Sequence, residues 1–301
     1  MPTFQIWNKC NNNCQMCTNP LWLNSDEVSH LHTFEYKIKE IKKGVKKEGD
    51  MIQLTGGEPT IHPEFFKLFF WARENYPKLR IYLITNGRMF FYEDFTKRVL
   101  IADRLTIQVS LLAHKKEIHD KITGVPKSHD QVVQGIRNIL KYKKDGQKLE
   151  IRVVLTKINF SFLNEILGFV YNEFKGVDSV TIIFPEIEGK CAINFDKIGL
   201  MHSDVRDLVD KVIPKWVSKI EDLRLYHFPL CQIGSHLWKY VYRTLPPEEV
   251  AYIKKCNDCK YRDYCLGIHK GYLEKIGDHE FMPIKEDILI KMGNDFKRPI
   301  I

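Results

Sequence analysis

The sequence predicts an α/β fold built on a parallel sheet, and two observations support this. Short apolar, strand-like runs alternate with helical patterns through the first two thirds of the 301 residues, which is typical of βαβ crossovers. Unusual residues follow the first four strands in turn: CNNNCQMC, TGGEPT, TNGR and SLLAH. Because sites in parallel sheets lie at the carboxyl ends of the strands, the same pattern predicts an active site at that edge.

The individual elements follow from hydrophobic periodicity. Strands are predicted at 4–7, 51–54, 80–84, 104–109, 150–155 and 179–184, and helices at 33–48, 62–75, 92–101, 129–143 and 160–174. The fourth helix carries an apolar stripe of Val132, Val133, Ile136, Ile139 and Leu140.

The pattern changes after residue 200. Cys231 lies in FPLCQIG, and CNDCKYRDYC then supplies Cys256, Cys259 and Cys265. Such a cysteine-rich region predicts a small second domain organised by metal. We therefore expect two domains, at 1–200 and 201–301.

Composition places the chain among soluble globular proteins, with 44% hydrophobic and 28% charged residues. The N-terminus lacks a signal-peptide pattern, and no run approaches the roughly 18 apolar residues that span a membrane. We expect a cytoplasmic protein with no membrane partner. In a reducing cytosol, its eight cysteines favour metal or redox chemistry over disulfides.

The formal net charge of +8 is a mild bias towards acidic partners. Its densest basic stretch, KIKEIKKGVKK at 37–47, spaces Ile38, Ile41 and Val45 as one apolar helix face. We interpret the lysines between them as the solvated face of that helix. The sequence contains no RNA-recognition motif, so nucleic acid is not an expected partner.

Cys10, Cys14 and Cys17 lie on the loop after the first strand. Three thiolates can bind three corners of a metal site and leave the fourth open, whereas a structural zinc site is normally closed by four protein ligands. A zinc site completed by a distant ligand is one interpretation. An iron–sulfur cluster whose uncovered iron binds a substrate or cofactor is the other.

The loop after the second strand, Gly56–Gly57–Glu58–Pro59–Thr60, suits close approach of a ligand. Paired glycines let the backbone come near without a Cβ in the way. Glu58 can accept charge-assisted hydrogen bonds from an ammonium group. The alternative is an ordinary glycine turn.

Together, C-x3-C-x2-C, GGEP, TNG and a strand-end serine, in this order, resemble the radical S-adenosylmethionine (SAM) superfamily over roughly residues 1–190. The resemblance implies a partial (β/α)6 TIM-like barrel. It also implies a [4Fe–4S] cluster on Cys10, Cys14 and Cys17, with the amino and carboxylate groups of SAM on the remaining iron. One electron then cleaves SAM to methionine and a 5′-deoxyadenosyl radical, which abstracts a substrate hydrogen.

The same resemblance assigns SAM-binding roles. Glu58, supported by the Gly56 and Gly57 backbone, would bind the methionine ammonium. Ser110, Asn86 and Arg152 would face the ribose or carboxylate. Met16 stands where the family usually has an aromatic residue near the adenine, and a flexible thioether can still cover a ring face.

The spacing of Cys256, Cys259 and Cys265 resembles the SPASM and twitch auxiliary-cluster domains of radical SAM enzymes. With Cys231 as a fourth thiolate, it implies one closed auxiliary [4Fe–4S] cluster in a small C-terminal domain. A four-cysteine zinc site is the alternative. Cys191 and His269 are interpreted as structural instead of ligands.

A further family-like stretch, SLLAHKKEIHDKITGVPKSHDQVVQGI at 110–136, contains His119, Asp120 and Gly124. We expect these to shape the loop and cap the next helix. No catalytic acid, base or radical relay can be named from the sequence.

The resemblance implies modification of a peptide or protein by crosslinking, epimerisation or oxidation, with flavodoxin or ferredoxin as electron donor. The alternatives are radical chemistry on a small molecule in cofactor biosynthesis, and RNA modification. A non-catalytic iron–sulfur or zinc protein that binds nucleic acid belongs to a different class, and GGEP argues against it.

Overall fold

The computed structural model describes residues 2–20, 25–45 and 51–301. The chain divides into two compact units. The first comprises Met1–Cys14, Asn19–Arg152 and Asn172–Asp178, and the second comprises Gln15–Thr18, Val153–Tyr171 and Ser179–Ile301. These compact units need not coincide with domains. The domain boundary expected at residue 200 therefore stays a prediction.

Parallel strands in chain order form the centre of the first unit. They are β1 (Thr3–Trp7), β2 (Ile52–Gly56), β3 (Ile81–Thr85), β4 (Leu105–Ser110) and the first residues of β5 (Lys148–Val154). Its helices are α1 (Phe34–Gly44), α2 (Phe65–Asn75), α3 (Glu93–Val99), α4 (Lys116–Thr123) and α5 (Ser128–Tyr142). Every residue of β4 except Ser110 is buried, as expected for a strand covered on both faces.

The second unit continues the α/β pattern and then becomes irregular. It contains most of α6 (Leu163–Glu173), followed by β6 (Ser179–Ile183), α7 (Gly189–Ile193), α8 (Phe195–Ile198), α9 (His202–Val212), β7 (Leu223–Tyr226) and β8 (Val241–Tyr242). Strands β6, β7 and β8 pair in parallel. Later come β9 (Val250–Ala251), β10 (Ile268–His269), α10 (Lys270–Lys275), β11 (Met292–Asp295) and β12 (Arg298–Ile300), with antiparallel pairs β9–β10 and β11–β12.

The predicted strands and helices are found, with their ends shifted by a few residues. Residues 46–48 of the first predicted helix lie outside the described residues. Helix α4 was not predicted, because it is short and its sequence KEIHDKIT is mostly polar.

The lysines between Ile38 and Val45, namely Lys39, Lys42 and Lys43, are exposed as expected. Lys37, just before them, is buried, and its ammonium pairs with Glu40 at 2.7 Å. A long aliphatic stem allows such burial when the charge finds a partner. Lys46 and Lys47 lie outside the described residues. Among the described residues, no helix is long and apolar enough to cross a membrane.

Candidate functional site

In the first unit, the glycine loop after β2 runs alongside the chain that leads to the cysteine loop. The backbone N–H of Gly57 donates to Trp7 O at 2.8 Å, and the N–H of Glu58 donates to Lys9 O at 2.8 Å. These two bonds extend the β1–β2 pairing as far as the residue before Cys10.

Both glycines are required by that close approach. A Cβ on Gly56 would lie 2.2 Å from Trp7 O, and one on Gly57 would lie 2.4 Å from Lys9 O. The backbone that comes close here belongs to the protein itself, namely the end of β1. The sequence interpretation considered only a ligand or an ordinary turn, because the partner lies some fifty residues earlier in the chain.

Glu58 is buried, with 1% of its surface exposed, and it joins two loops. Its Oε1 accepts from the Thr60 backbone N–H at 3.1 Å, from the Thr60 hydroxyl, and from the Thr85 hydroxyl at 2.7 Å. Its Oε2 accepts from the Asn86 backbone N–H at 2.7 Å. Burial raises the pKa of the Glu58 carboxyl, and these hydrogen bonds oppose the shift because they favour the charged form.

The TNGR sequence after β3 holds the cysteine loop. Asn86 Nδ2 donates to Asn11 Oδ1 at 2.6 Å and lies 3.8 Å from Cys10 Sγ. Arg88 donates to Asn12 Oδ1 at 2.8 Å and to the carbonyl of Asn11. The asparagines between the cysteines therefore serve as acceptors for β3-loop donors. Asn12 also donates its own backbone N–H to Cys10 Sγ at 3.3 Å.

The prediction for the 110–136 stretch is confirmed. Asp120 accepts from the N–H groups of Lys127 (2.6 Å) and His129 (2.9 Å) and from the Ser128 hydroxyl (2.8 Å), so it caps the start of α5. His119 Nδ1 accepts from the N–H of Leu112 at 3.2 Å. Burial lowers the pKa of His119 to about 3, so its ring is neutral and can accept this bond.

The C-terminal end of α4 also contacts the cysteine loop. The backbone N–H of Asn13 donates to Thr123 O at 2.8 Å. Gly124 follows with φ of +67°, and a Cβ there would lie 2.9 Å from Asn13 O. Three separate segments, after β2, after β3 and at the end of α4, thus position the loop that carries Cys10 and Cys14.

The other predicted SAM-binding residues lie in both units. In the first unit, Ser110 ends β4 and pairs in register with Arg152 of β5, whose Nε is 3.6 Å from Glu150 Oε1. Met16 and Cys17 belong to the second unit, where both are half-buried. There the N–H of Lys190, on α7, donates to Cys17 O at 2.8 Å.

The second unit brings the four cysteines of the C-terminal set together. Cys231, Cys256, Cys259 and Cys265 line one small cavity with apolar walls that include Leu230. Neither Cys191 nor His269 lines this cavity. Among the residues that the structure describes, no group of three or more His, Cys, Asp or Glu side chains could hold a metal ion as placed.

Several N–H groups point at these sulfurs. Leu230 and Gly267 donate from the backbone to Cys265 Sγ at 3.4 and 3.5 Å, and Ile284 donates to Cys259 Sγ at 3.5 Å. Such bonds stabilise thiolates that bind metal. An all-sulfur donor set of this kind fits an iron–sulfur cluster or zinc.

Burial raises the pKa of the Cys231 thiol to about 12, and the charge of the neighbouring Cys265 adds to the shift. Without metal, Cys231 is therefore protonated at neutral pH. Metal binding at this cavity would have to displace that proton. Burial likewise raises the pKa of Cys191, outside the cavity, to about 12.

Comparison with protein families decides the broad identity. Residues 4–170 match the model described as "Radical SAM superfamily". The chain belongs to the radical SAM superfamily. Membership implies a [4Fe–4S] cluster and SAM as cofactors. The chain is accordingly an enzyme of the radical type, which excludes the non-catalytic alternative.

Three similar proteins are informative. A GTP 3′,8-cyclase from Nautilia profundicola is 26% identical over 261 residues, covering 84% of this chain and 74% of that protein. The mycofactocin maturase MftC of Mycobacterium tuberculosis is 32% identical over 114 residues, covering 38% of this chain and 28% of MftC. The crystal structure of Streptococcus suis SuiB bound to precursor peptide SuiA superposes with a TM-score of 0.52 at 16% identity, over 79% of this chain and 49% of SuiB.

The matched regions therefore cover about half the length of SuiB and little more than a quarter of MftC. The structural match shows the fold alone, and with it the predicted α/β partial-barrel class is confirmed.

The sequence interpretation missed a group of acids and histidines in the second unit. Glu186 and Glu188 follow β6, and His227 follows β7. His227 Nδ1 lies 3.4 Å from Glu186 Oε1, and His269 Nε2 lies 3.1 Å from Glu188 Oε1. The rule that singled out polar residues after the first four strands also applies to FPEIEG after β6, and it could have found this pair of glutamates.

Glu249 belongs to the same acidic group. Burial raises the pKa of its carboxyl to about 7, and the charges of Glu186, Glu188 and Glu248 add to the shift. The acids of this group can hold a cationic group, and Glu249 can exchange a proton near neutral pH.

Proposed function

We propose that this chain cleaves SAM reductively and uses the resulting radical to abstract hydrogen from a peptide or protein substrate. The observation that carries the proposal is C-x3-C-x2-C on the loop after β1, inside the region that matches the family. Cys10, Cys14 and Cys17 would hold a [4Fe–4S] cluster with one iron left for SAM. When bound and reduced, that cluster supplies the electron that splits SAM into methionine and a 5′-deoxyadenosyl radical.

The residues proposed to bind SAM are Met16, Gly56, Gly57, Glu58, Asn86, Ser110 and Arg152. For Glu58 the proposal requires one free acceptor position on its carboxylate. The hydrogen bonds described above engage Oε1 three times and Oε2 once. A carboxylate offers about four lone-pair sites in all, so an ammonium would have to approach Oε2.

We also propose that Cys231, Cys256, Cys259 and Cys265 hold a closed auxiliary [4Fe–4S] cluster, within a C-terminal domain at 201–301 that follows a core at 1–200. The shared cavity and the N–H groups directed at its sulfurs support this. A cluster with four thiolates has no open iron, so its role would be electron transfer or structure. Zinc in the same cavity is the competing proposal.

A peptide substrate is supported by SuiB, which was crystallised with the precursor peptide SuiA, and by the similarity to the maturase MftC. The acidic group of Glu186, Glu188 and Glu249 after β6 and before β9 agrees with it, because carboxylates attract the basic groups of a peptide. The same group would repel a triphosphate.

The second candidate is radical chemistry on a nucleotide or another small molecule. It is favoured by the GTP 3′,8-cyclase match, which covers 84% of this chain. We further propose a cytoplasmic location and an external one-electron donor such as flavodoxin or ferredoxin.

The test is SAM cleavage by anaerobically reconstituted, dithionite-reduced protein. We expect 5′-deoxyadenosine from the wild type and none from Cys14→Ala. Cys191→Ala is the matched control, because Cys191 is a buried thiol outside both cysteine sets, and it should retain cleavage. Absence of 5′-deoxyadenosine from wild-type protein with a reduced first cluster would refute the proposal.

Substrate class is tested in the same assay with GTP in one arm and short peptides encoded beside the gene in the other. A SAM-dependent mass change in a peptide supports the first candidate. A new nucleotide product from GTP supports the second.

A further inference from the structure

Gln232, next to Cys231, is a buried amide with 1% of its surface exposed. Its Nε2 lies 3.7 Å from Cys231 Sγ and donates to Glu280 O at 2.8 Å. Its Oε1 accepts from Arg206 Nη2 at 2.5 Å. The residue therefore connects a guanidinium, a backbone carbonyl and a cysteine sulfur.

These partners fix which way the amide points. A guanidinium only donates, and a backbone carbonyl only accepts. The amide oxygen must face Arg206, and the NH2 group must face Glu280 O and Cys231 Sγ. In the flipped orientation, donor would meet donor at Arg206 and acceptor would meet acceptor at Glu280. Arg206 thus holds the amide so that an N–H is directed at the sulfur.

An N–H donor at a thiolate ligand stabilises negative charge on a cluster, which favours its reduced state. The other hydrogen bonds described to the sulfurs of this set come from the backbone N–H groups of Leu230, Gly267 and Ile284. Gln232, by contrast, donates from its side chain. A substitution of Gln232 can therefore remove this hydrogen bond while leaving the backbone donors in place.

We propose that Gln232 is a positioning residue that raises the reduction potential of the auxiliary cluster, and that Arg206 holds its amide in the donating orientation. The inference rests on the proposed auxiliary cluster. Because the potential decides whether a closed cluster can accept an electron, this pair would bias the cluster towards the role of electron acceptor.

The experiment is a redox titration followed by electron paramagnetic resonance. The parent protein carries Cys10→Ala, Cys14→Ala and Cys17→Ala, so that only the second cluster contributes. In this parent, Gln232→Leu should shift the reduced-to-oxidised ratio at a fixed potential by about tenfold towards the oxidised form, a fall of about 60 mV for one electron. Gln232→Glu should shift it further, because it adds a negative charge beside the sulfur.

Arg206→Leu should lower the potential in the same direction, and Arg206→Lys should restore part of it, since lysine can still donate to Oε1. Tyr261→Phe is the control. Tyr261 is a buried residue whose hydroxyl donates to Ile288 O at 3.0 Å and not to a cysteine sulfur, so its loss should leave the potential unchanged.

Iron analysis separates the possible failures. If parent and variants hold about four irons but share one potential, the inference is overturned while the auxiliary cluster stands. If the parent holds zinc, or no metal, the proposed auxiliary cluster and the inference about Gln232 and Arg206 are both refuted. If Gln232→Leu loses its iron, the more conservative Gln232→Glu and Arg206→Lys variants decide the question by the same titration.

Discussion

Glu58 Oε2 accepts a hydrogen bond of 2.7 Å from the backbone N–H of Asn86, so one buried carboxylate joins the loops after β2 and β3. Asn86 in turn donates its side chain to Asn11, between the first two cysteines. GGEP and TNG are thus parts of one hydrogen-bonded assembly around the cysteine loop. This structural role exists alongside any contact with SAM, and variants can separate the two.

Thr85→Val should destabilise the first unit without changing the charge of Glu58. It removes the hydroxyl that donates to Oε1 at 2.7 Å and accepts from the Gly87 backbone N–H at 3.0 Å. Loss of a buried hydrogen bond of this kind lowers the free energy of unfolding by about 1–3 kcal/mol. Denaturant unfolding of the reconstituted protein measures this. An unchanged free energy of unfolding would show that the Thr85 hydroxyl contributes nothing.

Glu58→Gln should weaken SAM binding while leaving the first cluster assembled. Loss of a charge-assisted bond to an ammonium raises the dissociation constant about ten- to hundredfold, whereas Thr85→Val should stay within about threefold of wild type. Equilibrium binding of SAM to both variants gives the comparison. A change below about threefold in Glu58→Gln would leave Glu58 with its structural role alone.

Gly57→Ala should disturb the loop that carries Cys10. The new Cβ would lie 2.4 Å from Lys9 O, and overpacking against backbone costs about 1–3 kcal/mol. We expect a lower melting temperature and less iron in the first set. Gly168→Ala on α6 is the control, because its Cβ would make ordinary contact, 3.4 Å from Trp216. Equal behaviour of the two variants would contradict the packing argument.

Glu249 should make stability fall as pH rises. The pKa of its carboxyl is about 7 in the folded chain against an ordinary 4.5, so between these values the folded state holds a proton that the unfolded state releases. The free energy of unfolding therefore declines across this range. Glu249→Gln should flatten the decline, and Glu274→Gln, at an exposed residue of α10, should not. Urea unfolding at about pH 5 and about pH 8 tests this, and identical slopes in all three proteins would refute it.

Cys231→Ala should open the proposed auxiliary cluster. If four thiolates fill the four iron sites, removing one exposes an iron that a small ligand such as imidazole can bind. We expect imidazole to change the paramagnetic spectrum of the second cluster in Cys231→Ala but not in wild type. A response in both proteins would mean that the cluster is already open and that Cys231 is not its ligand.

Local sequence was enough to predict the strands and most helices, because apolar periodicity is strong in a buried parallel sheet. It also predicted the capping role of Asp120, whose partners lie within nine residues. What it did not predict depends on contacts that are distant in the chain. Gly57 is needed because a Cβ there would clash with the carbonyl of Lys9, and His269 pairs with Glu188. Neither pairing leaves a local pattern.

Lys37 illustrates the same limit. It lies in the same basic stretch as the solvated lysines Lys39, Lys42 and Lys43, yet its side chain is buried and its ammonium is paired with Glu40. By contrast, the cysteine spacings carried much information, because a metal site restricts both residue type and separation. They led to the expectation that Cys231 joins Cys256, Cys259 and Cys265, and these four line one cavity.

The central claim is that the two cysteine sets hold two separate [4Fe–4S] clusters. The measurement that tests it most directly is iron and zinc per chain after anaerobic reconstitution, in wild type and in the double variant Cys256→Ala and Cys259→Ala. We expect about eight irons in wild type and about four in the variant. An unchanged iron content in the variant, or one zinc per chain in wild type that the variant loses, would contradict the claim.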